Sequence, residues 1–258
     1  MISTFNSYAA GVMELLPEDA RDALLASGSR IRLSNKQLVQ SRGHRSIGLG
    51  IILKGKIRLM TIGIDGTVHL TAIFGPGQQF NEVTLFANAR LTHDVEAVGE
   101  TEILTLTAAE YERFAKQYPV IVEALLISNV QRVHQLMETL NDMRAQTKAV
   151  ALARVLLKNA WHVRGDSDRN SMELDIIQED IAMFLGVTRP YLNRILGQLC
   201  SLGFIELSYR KIRIVDLAGL ADWMHDEMTY EPVEECVSLH LREQGRALKE
   251  AQRYQGES

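Results

Sequence analysis

The sequence predicts an α+β chain in which a β-roll, a long helix and a winged helix-turn-helix follow one another. Three observations predict it. Short β-rich runs crowd residues 29–106, a seven-residue apolar repeat runs through residues 119–144, and two amphipathic helices meet at a glycine near residue 186. Many short strands at regular spacing favour a roll or barrel. The expected segments are a β-roll at 1–118, a long helix at 119–147, a helix-turn-helix domain at 148–216 and a helical extension at 217–258.

Residues 8–27 read as helical, with Leu15, Leu16, Ala20, Leu24 and Leu25 as apolar positions. Pro17, followed by Glu18 and Asp19, marks the start of a second short helix. Strands are expected at Ile31–Leu33, Leu38–Val39, Leu49–Leu53, Ile57–Ile62, His69–Ile73 and Ile103–Leu106. Asp65-Gly66 between two alternating runs is a two-residue hairpin signal. Gly75-Pro76-Gly77 reads as a loop.

Pro119 to Arg144 reads as one helix. Leu126, Val130, Val133, Met137 and Leu140 follow alternating four- and three-residue steps. Such a seam wants a partner helix, either in a second copy of the chain or in the chain's own roll, and the homodimer is the expected reading. Ala149 to Asn159 is a further helix, and residues 165–170 are a polar loop.

Residues 178–199 carry the sharpest pattern. Ile181, Phe184 and Leu185 form one apolar face of a first helix. Gly186 is suited to the left-handed residue that ends it. Thr188 is an N-cap, and Pro190 falls in the first turn, where a missing N–H costs nothing. Leu192, Ile195, Leu196 and Leu199 give the second helix one buried stripe. Pro190, Tyr191, Asn193 and Arg194 lie off that stripe, with Arg189 at the N-terminal end. A helix of this kind suits the major groove of DNA, where arginine donates two hydrogen bonds to guanine. Taken alone, the pattern fits a two-helix corner with solvated arginines equally well. The β-rich runs at 204–207 and 212–215, joined by Tyr209-Arg210 and carrying Lys211 and Arg213, move the reading to a winged helix. Basic wings meet phosphates. The expected DNA-facing set is Thr188, Arg189, Pro190, Tyr191, Asn193, Arg194, Arg210 and Lys211.

Composition sets limits. The chain has 258 residues, 46% of them hydrophobic, and a formal net charge of -4. Contact with nucleic acid must therefore rest on a local basic patch. Cys200 and Cys236 form neither a disulfide framework nor a metal motif and fit a reducing cytosol. The first residues lack a basic start and an apolar core, and no apolar run reaches membrane-spanning length, so a cytoplasmic protein is expected. Gly50 to Ile57 matches most of a phosphate-cradling loop, but Ile57 stands where a magnesium-binding hydroxyl belongs. Its bulky apolar residues read as a strand. The seven histidines show no ligand spacing. His93 and His134 are conceivable haem or metal ligands, with solvated or core-edge histidines as the expected reading. No nucleophile stands at catalytic spacing to a base, so no enzyme is expected.

The segment GVTRPYLNRIL resembles the recognition segment of the cyclic-AMP receptor protein/fumarate-nitrate reduction regulator family of bacterial transcription regulators. The similarity runs from about Pro17 to Val215, and LKGKIR, the Asp-Gly hairpin and GPGQQFNE fall where that family places its β-roll. The resemblance implies a jelly roll of the cyclic-nucleotide-binding type. It also implies a homodimer on a near-palindromic operator, with RNA polymerase as a partner, and control by a small effector. In its nucleotide-binding members a Gly-Glu pair and an Arg-Ser pair grip the ribose and cyclic phosphate. The matching positions here are Asn81-Glu82 and Leu91-Thr92, with Arg90 one residue out of register. Leu136 and Met137 occupy the adenine-contacting positions of the long helix, and Leu140 lies one turn further on. Leucine cannot neutralise a phosphate, and apolar side chains cannot hydrogen-bond a base. An effector other than cyclic AMP, of more apolar character, is expected. A cyclic-nucleotide-responsive regulator, a ligand-independent regulator and, more distantly, the nucleotide-binding subunit of an enzyme are the alternatives. The iron–sulfur members' clustered N-terminal cysteines are missing here. Arg189 and Arg194 match the family's guanine-reading arginines, whereas the acidic residue between them is replaced by Pro190. From Asp216 onward a helix is expected at 217–228, and residues 231–258 read as amphipathic, either a solvated helix or a second packing surface.

Overall fold

The computed structural model describes residues 9–145, 147–164, 171–175, 177–208 and 211–226, with the backbone alone at 138–145, 161–164, 175 and 226. The N-terminal segment has the helix start expected at Pro17. It forms a single turn, α1 (Val12–Leu15), and then α2 (Glu18–Ser27), with Pro17 at the N-cap between them. Proline has no N–H to extend the first helix and disfavours helical geometry in the residue before it. Val12, Leu16, Ala20 and Leu24 are buried against α4 (Ala108–Gln117) and α5 (Val120–Ala145).

The roll is built from β1 (Ser29–Leu33), β2 (Leu38–Gln40), β3 (Leu49–Ile62), β4 (Val68–Phe74), β5 (Gln79–Phe80) and β6 (Asp94–Leu106). β6 is its hub, antiparallel to β1, β2 and β3. The two separate runs expected at 49–53 and 57–62 are one 14-residue strand. The pairing of β3 with β6 slips on either side of Lys54, beside Gly55 at φ 74°. A bulge there keeps both halves in one ladder while turning the strand. β6 likewise extends well before Ile103, because Val95 and Ala97 alternate inward with Glu96 outward. The incomplete phosphate-loop match lies inside β3. Gly50 there leaves room for Phe80, whose ring would stand 2.1 Å from an added Cβ. The hairpin at Asp65-Gly66 exists, but its loop is wider than two residues. The N–H of Gly63 donates to Thr67 O, and the Asp65 carboxylate accepts from the Thr67 N–H and hydroxyl.

After α5 come α6 (Lys148–Arg164), β7 (Met172–Asp175), α7 (Gln178–Leu185), α8 (Arg189–Ser201), β8 (Ile205–Ser208), β9 (Lys211–Ile214) and α9 (Leu217–Asp226). The wing has a third strand that the sequence pattern did not reveal, since the sheet order is β7-β9-β8. The amphipathic segment at 231–258 lies outside the described residues.

The core of this second unit contains Leu152, Leu156, Ile181, Leu192, Leu196, Leu199 and Ile212, and it also takes in Met60, Leu70 and Ile73 of β3 and β4. α7 therefore seats on the β3–β4 hairpin of the roll. A charged pair sits in the same joint. Arg58 Nη1 lies 3.4 Å from Asp180 Oδ1, and Arg58 Nε lies 3.6 Å from Glu96. Burial raises the Asp180 pKa, and Arg58 opposes that rise.

Candidate nucleic-acid interface and sensor pocket

The two-helix corner forms as its punctuation requires. Gly186 ends α7 in the left-handed region at φ 62°, ψ 42°. Thr188 caps α8, its hydroxyl accepting from the Tyr191 N–H at 3.4 Å. Leu192, Ile195, Leu196 and Leu199 are buried, which fixes the rotation of α8 about its axis. Arg189, Pro190, Asn193, Arg194 and Gly197 are thereby turned to solvent. Neither Arg189 nor Arg194 pairs with a carboxylate among the described residues. The Arg194 guanidinium lies over the Tyr191 ring, 4.4 Å from its centroid. Arginine one helical turn from tyrosine lies on the same face, so the contact is local in origin.

The wing differs in charge from the expectation. Lys211 is bridged to Glu173, and Arg213 lies 3.4 Å from Glu206. Glu173 stands opposite Arg213 on β7, and Glu206 stands opposite it on β8. Glu173 and Glu206 face outward beside the buried Leu174 and Ile205, and that contrast was the available signal. Arg210 lies outside the described residues. Lys211 and Arg213 are thus paired within the sheet, whereas Arg189 and Arg194 of α8 have no carboxylate partner among the described residues.

In the roll, Asn81 and Glu82 come together at the start of α3 (Glu82–Ala87), and Asn81 adopts the left-handed conformation at φ 74°. The Asn81 amide exchanges two hydrogen bonds with Gln40, at 2.6 and 3.0 Å, and donates to Gly48 O. Glu82 is buried and bonded to Arg132 of α5. Arg132 also donates to Gln79 O at 2.6 Å and lies over the Phe74 ring at 4.4 Å. Burial pushes the Arg132 guanidinium pKa down, and Glu82 holds it up. Arg132 was missed by the sequence reading. Its signal is its register, since it continues the buried stripe of Ile121, Ala124, Leu125 and Ser128 with a charge.

Arg90 does not join this cluster. It is exposed, donates to Gly43 O at 2.9 Å, and lines an outer cleft of about 350 Å³ with Arg45, Thr84 and Thr107. Leu91 is buried, and its backbone bonds residues 43 and 44. Thr92 is exposed, its hydroxyl 2.8 Å from His93 Nδ1. Burial, and then Arg42, lower the His93 pKa. Leu136 and Met137 are exposed on α5, alongside Leu126, Val130 and Val133. The side chain of Leu140 lies outside the described residues. Among the described residues, no three histidine, cysteine, aspartate or glutamate side chains cluster as a metal site would require.

A β-roll joined through a long helix to a winged helix-turn-helix with outward arginines defines a two-domain DNA-binding transcription regulator. Residues 30–118 match the model of the cyclic nucleotide-binding domain, and residues 150–223 match that of the Crp-like helix-turn-helix domain. The chain belongs to the cyclic-AMP receptor protein/fumarate-nitrate reduction regulator family. It is 24% identical over 214 residues to the CRP-like cAMP-activated global transcriptional regulator of Mycobacterium tuberculosis, covering 82% of this chain and 95% of that one. It is 23% identical over 208 residues to the cyclic AMP receptor protein of Thermus thermophilus, covering 81% and 93%. Among solved structures, a CooA variant from Carboxydothermus hydrogenoformans superposes with a TM-score of 0.71 at 17% identity, covering 86% of this chain and all of that one. No helix among the described residues is long and apolar enough to cross a membrane.

Proposed function

We propose that the chain is a homodimeric, cytoplasmic, sequence-specific regulator that places two copies of α8 in successive major grooves of a near-palindromic operator and works with RNA polymerase. The observation that carries this reading is α8 itself. Four apolar side chains bury one face, and two arginines with no carboxylate partner among the described residues stand on the other. The dimer is supported by the outer face of α5, where Leu126, Val130, Val133 and Met137 are 63%, 46%, 50% and 61% exposed. An apolar stripe of heptad spacing in water marks an interface, and a second copy supplies the matching stripe.

The effector is a small molecule other than cyclic AMP. Glu82, which would accept a ribose hydroxyl, is already satisfied by Arg132. Leu91 offers no charge to a cyclic phosphate. The occupied Glu82 also favours a second reading, a regulator needing no ligand, in which Arg132 permanently holds the state an effector would otherwise induce. An effector must bind one dimer arrangement better than the other, since equal affinity shifts nothing.

Selection of bound sequences from random duplex DNA, with and without the low-molecular-weight fraction of a cell extract, tests both points. Enrichment of inverted half-sites about 34 Å apart is expected. Enrichment of single half-sites overturns the dimer, and no enrichment in either condition overturns the reading as a whole. Enrichment that depends on the extract favours the effector, and enrichment without it favours the ligand-independent regulator. Arg194→Ala is expected to cost about 1–3 kcal/mol on the selected operator and to blur one base position.

A further inference from the structure

We propose that Tyr191 is a specificity-setting positioning residue, which holds Arg194 in the plane it needs to read its base pair. The inference rests on the reading of α8 as a DNA-recognition helix. An arginine on an exposed helix face is free to sample many rotamers, and ordering it on binding opposes affinity. A neighbouring carboxylate is the usual way to restrain such a side chain. Here the residue before Tyr191 is Pro190, which has no acceptor, and no carboxylate pairs with Arg194 among the described residues.

The restraint present is aromatic. The guanidinium lies 4.4 Å from the Tyr191 ring centroid. Tyr191 is 36% exposed, so its ring is only partly withdrawn from solvent and presents one face to the arginine. The backbone that carries the ring is fixed in the first turn of α8, where the Tyr191 N–H donates to the Thr188 hydroxyl. A guanidinium that stacks on a ring has one face covered and its in-plane N–H fork open. That fork is the part that pairs with guanine O6 and N7. Tyr191 thus acts through Arg194 and requires no contact of its own with a base.

The chemistry separates ring from hydroxyl. Sequence selection and affinity measurements would be run on the full-length protein and on Tyr191→Phe, Tyr191→Leu, Arg194→Ala and the Tyr191→Leu/Arg194→Ala double variant. Tyr191→Phe is expected to keep the wild-type preference. Tyr191→Leu is expected to lose about two- to fivefold in preference at the Arg194-read pair, the scale of an exposed cation–π contact. In the Arg194→Ala background the leucine substitution should change nothing further at that pair. Unchanged preference in Tyr191→Leu, or an equal loss in Tyr191→Phe, overturns the positioning role while leaving the DNA reading intact. A wild-type protein that enriches no sequence overturns both.

Discussion

Replacing Arg58 with Met should loosen the joint between the roll and the helix-turn-helix unit, and by an amount that depends on pH. Asp180 has a side chain only 3% exposed, and Arg58 Nη1 at 3.4 Å is its counter-charge. Removing one member of a buried pair costs about 3–5 kcal/mol, because the other charge is stranded. Protonation of Asp180 caps the loss. Carrying a carboxyl proton three pH units above its ordinary value costs about 4 kcal/mol at pH 7. The expected loss for Arg58→Met is therefore about 3 kcal/mol at neutral pH.

The sign with pH follows from the pKa. Asp180 is raised from 3.8 by burial, so the folded chain keeps a proton that the unfolded chain has released. The stability contributed by this group is complete below about pH 3.9 and declines as pH rises through the folded value. Arg58→Met removes the opposing charge and widens that window, so the deficit should grow from small near pH 4 to its full size near pH 7. Asp180→Asn should cost far less, since Arg58 keeps Glu96 at 3.6 Å and the buried Asp180 carboxylate is gone from the joint. Urea denaturation of the three single and double variants between pH 4 and pH 8 measures all of this. A deficit under about 1 kcal/mol in Arg58→Met, or an equal loss in Asp180→Asn, would refute the reasoning.

Other outcomes follow from the same logic. Arg132→Met strands the buried Glu82 and should cost about 3–5 kcal/mol in denaturant unfolding, most of it regained by adding Glu82→Gln. Gly197 is mid-helix, outward-facing, and has nothing within 4 Å of an added Cβ. Gly197→Ala should thus raise stability by about 1 kcal/mol in thermal or chemical unfolding. The same change should weaken operator binding if the glycine admits the close approach of a DNA strand, and a rise in both quantities would exclude that use. Because Lys211 and Arg213 are paired within the wing, replacing each by Gln should change the slope of log affinity against log salt by well under one per residue. A full unit lost at either position would mark a direct phosphate contact.

The recognition helix was legible because every signal for it is local. Thr188 caps, Pro190 starts, and Leu192, Ile195, Leu196 and Leu199 set the buried face, all within a few turns of one another. The same holds for Gly186 and for the helix through residues 119–144. The strands were legible in position but short in extent. The gap expected between residues 53 and 57 is a bulge beside Gly55, because β6 supplies hydrogen bonds on both sides of it.

What the amino-acid order determined by itself was the position of most helices and strands and the buried face of the recognition helix, since propensity, capping and periodicity act over a few residues. The tertiary structure alone decided which charges remain available. Arg132 meets Glu82 across 50 residues, Arg58 meets Asp180 across the joint, and Lys211 meets Glu173 across the wing. A charge's effect depends on its distance from the opposite charge and on its access to water. Both are properties of packing, and so the arginines of α8 could be counted in the sequence, but that no described carboxylate opposes them is visible only in the fold.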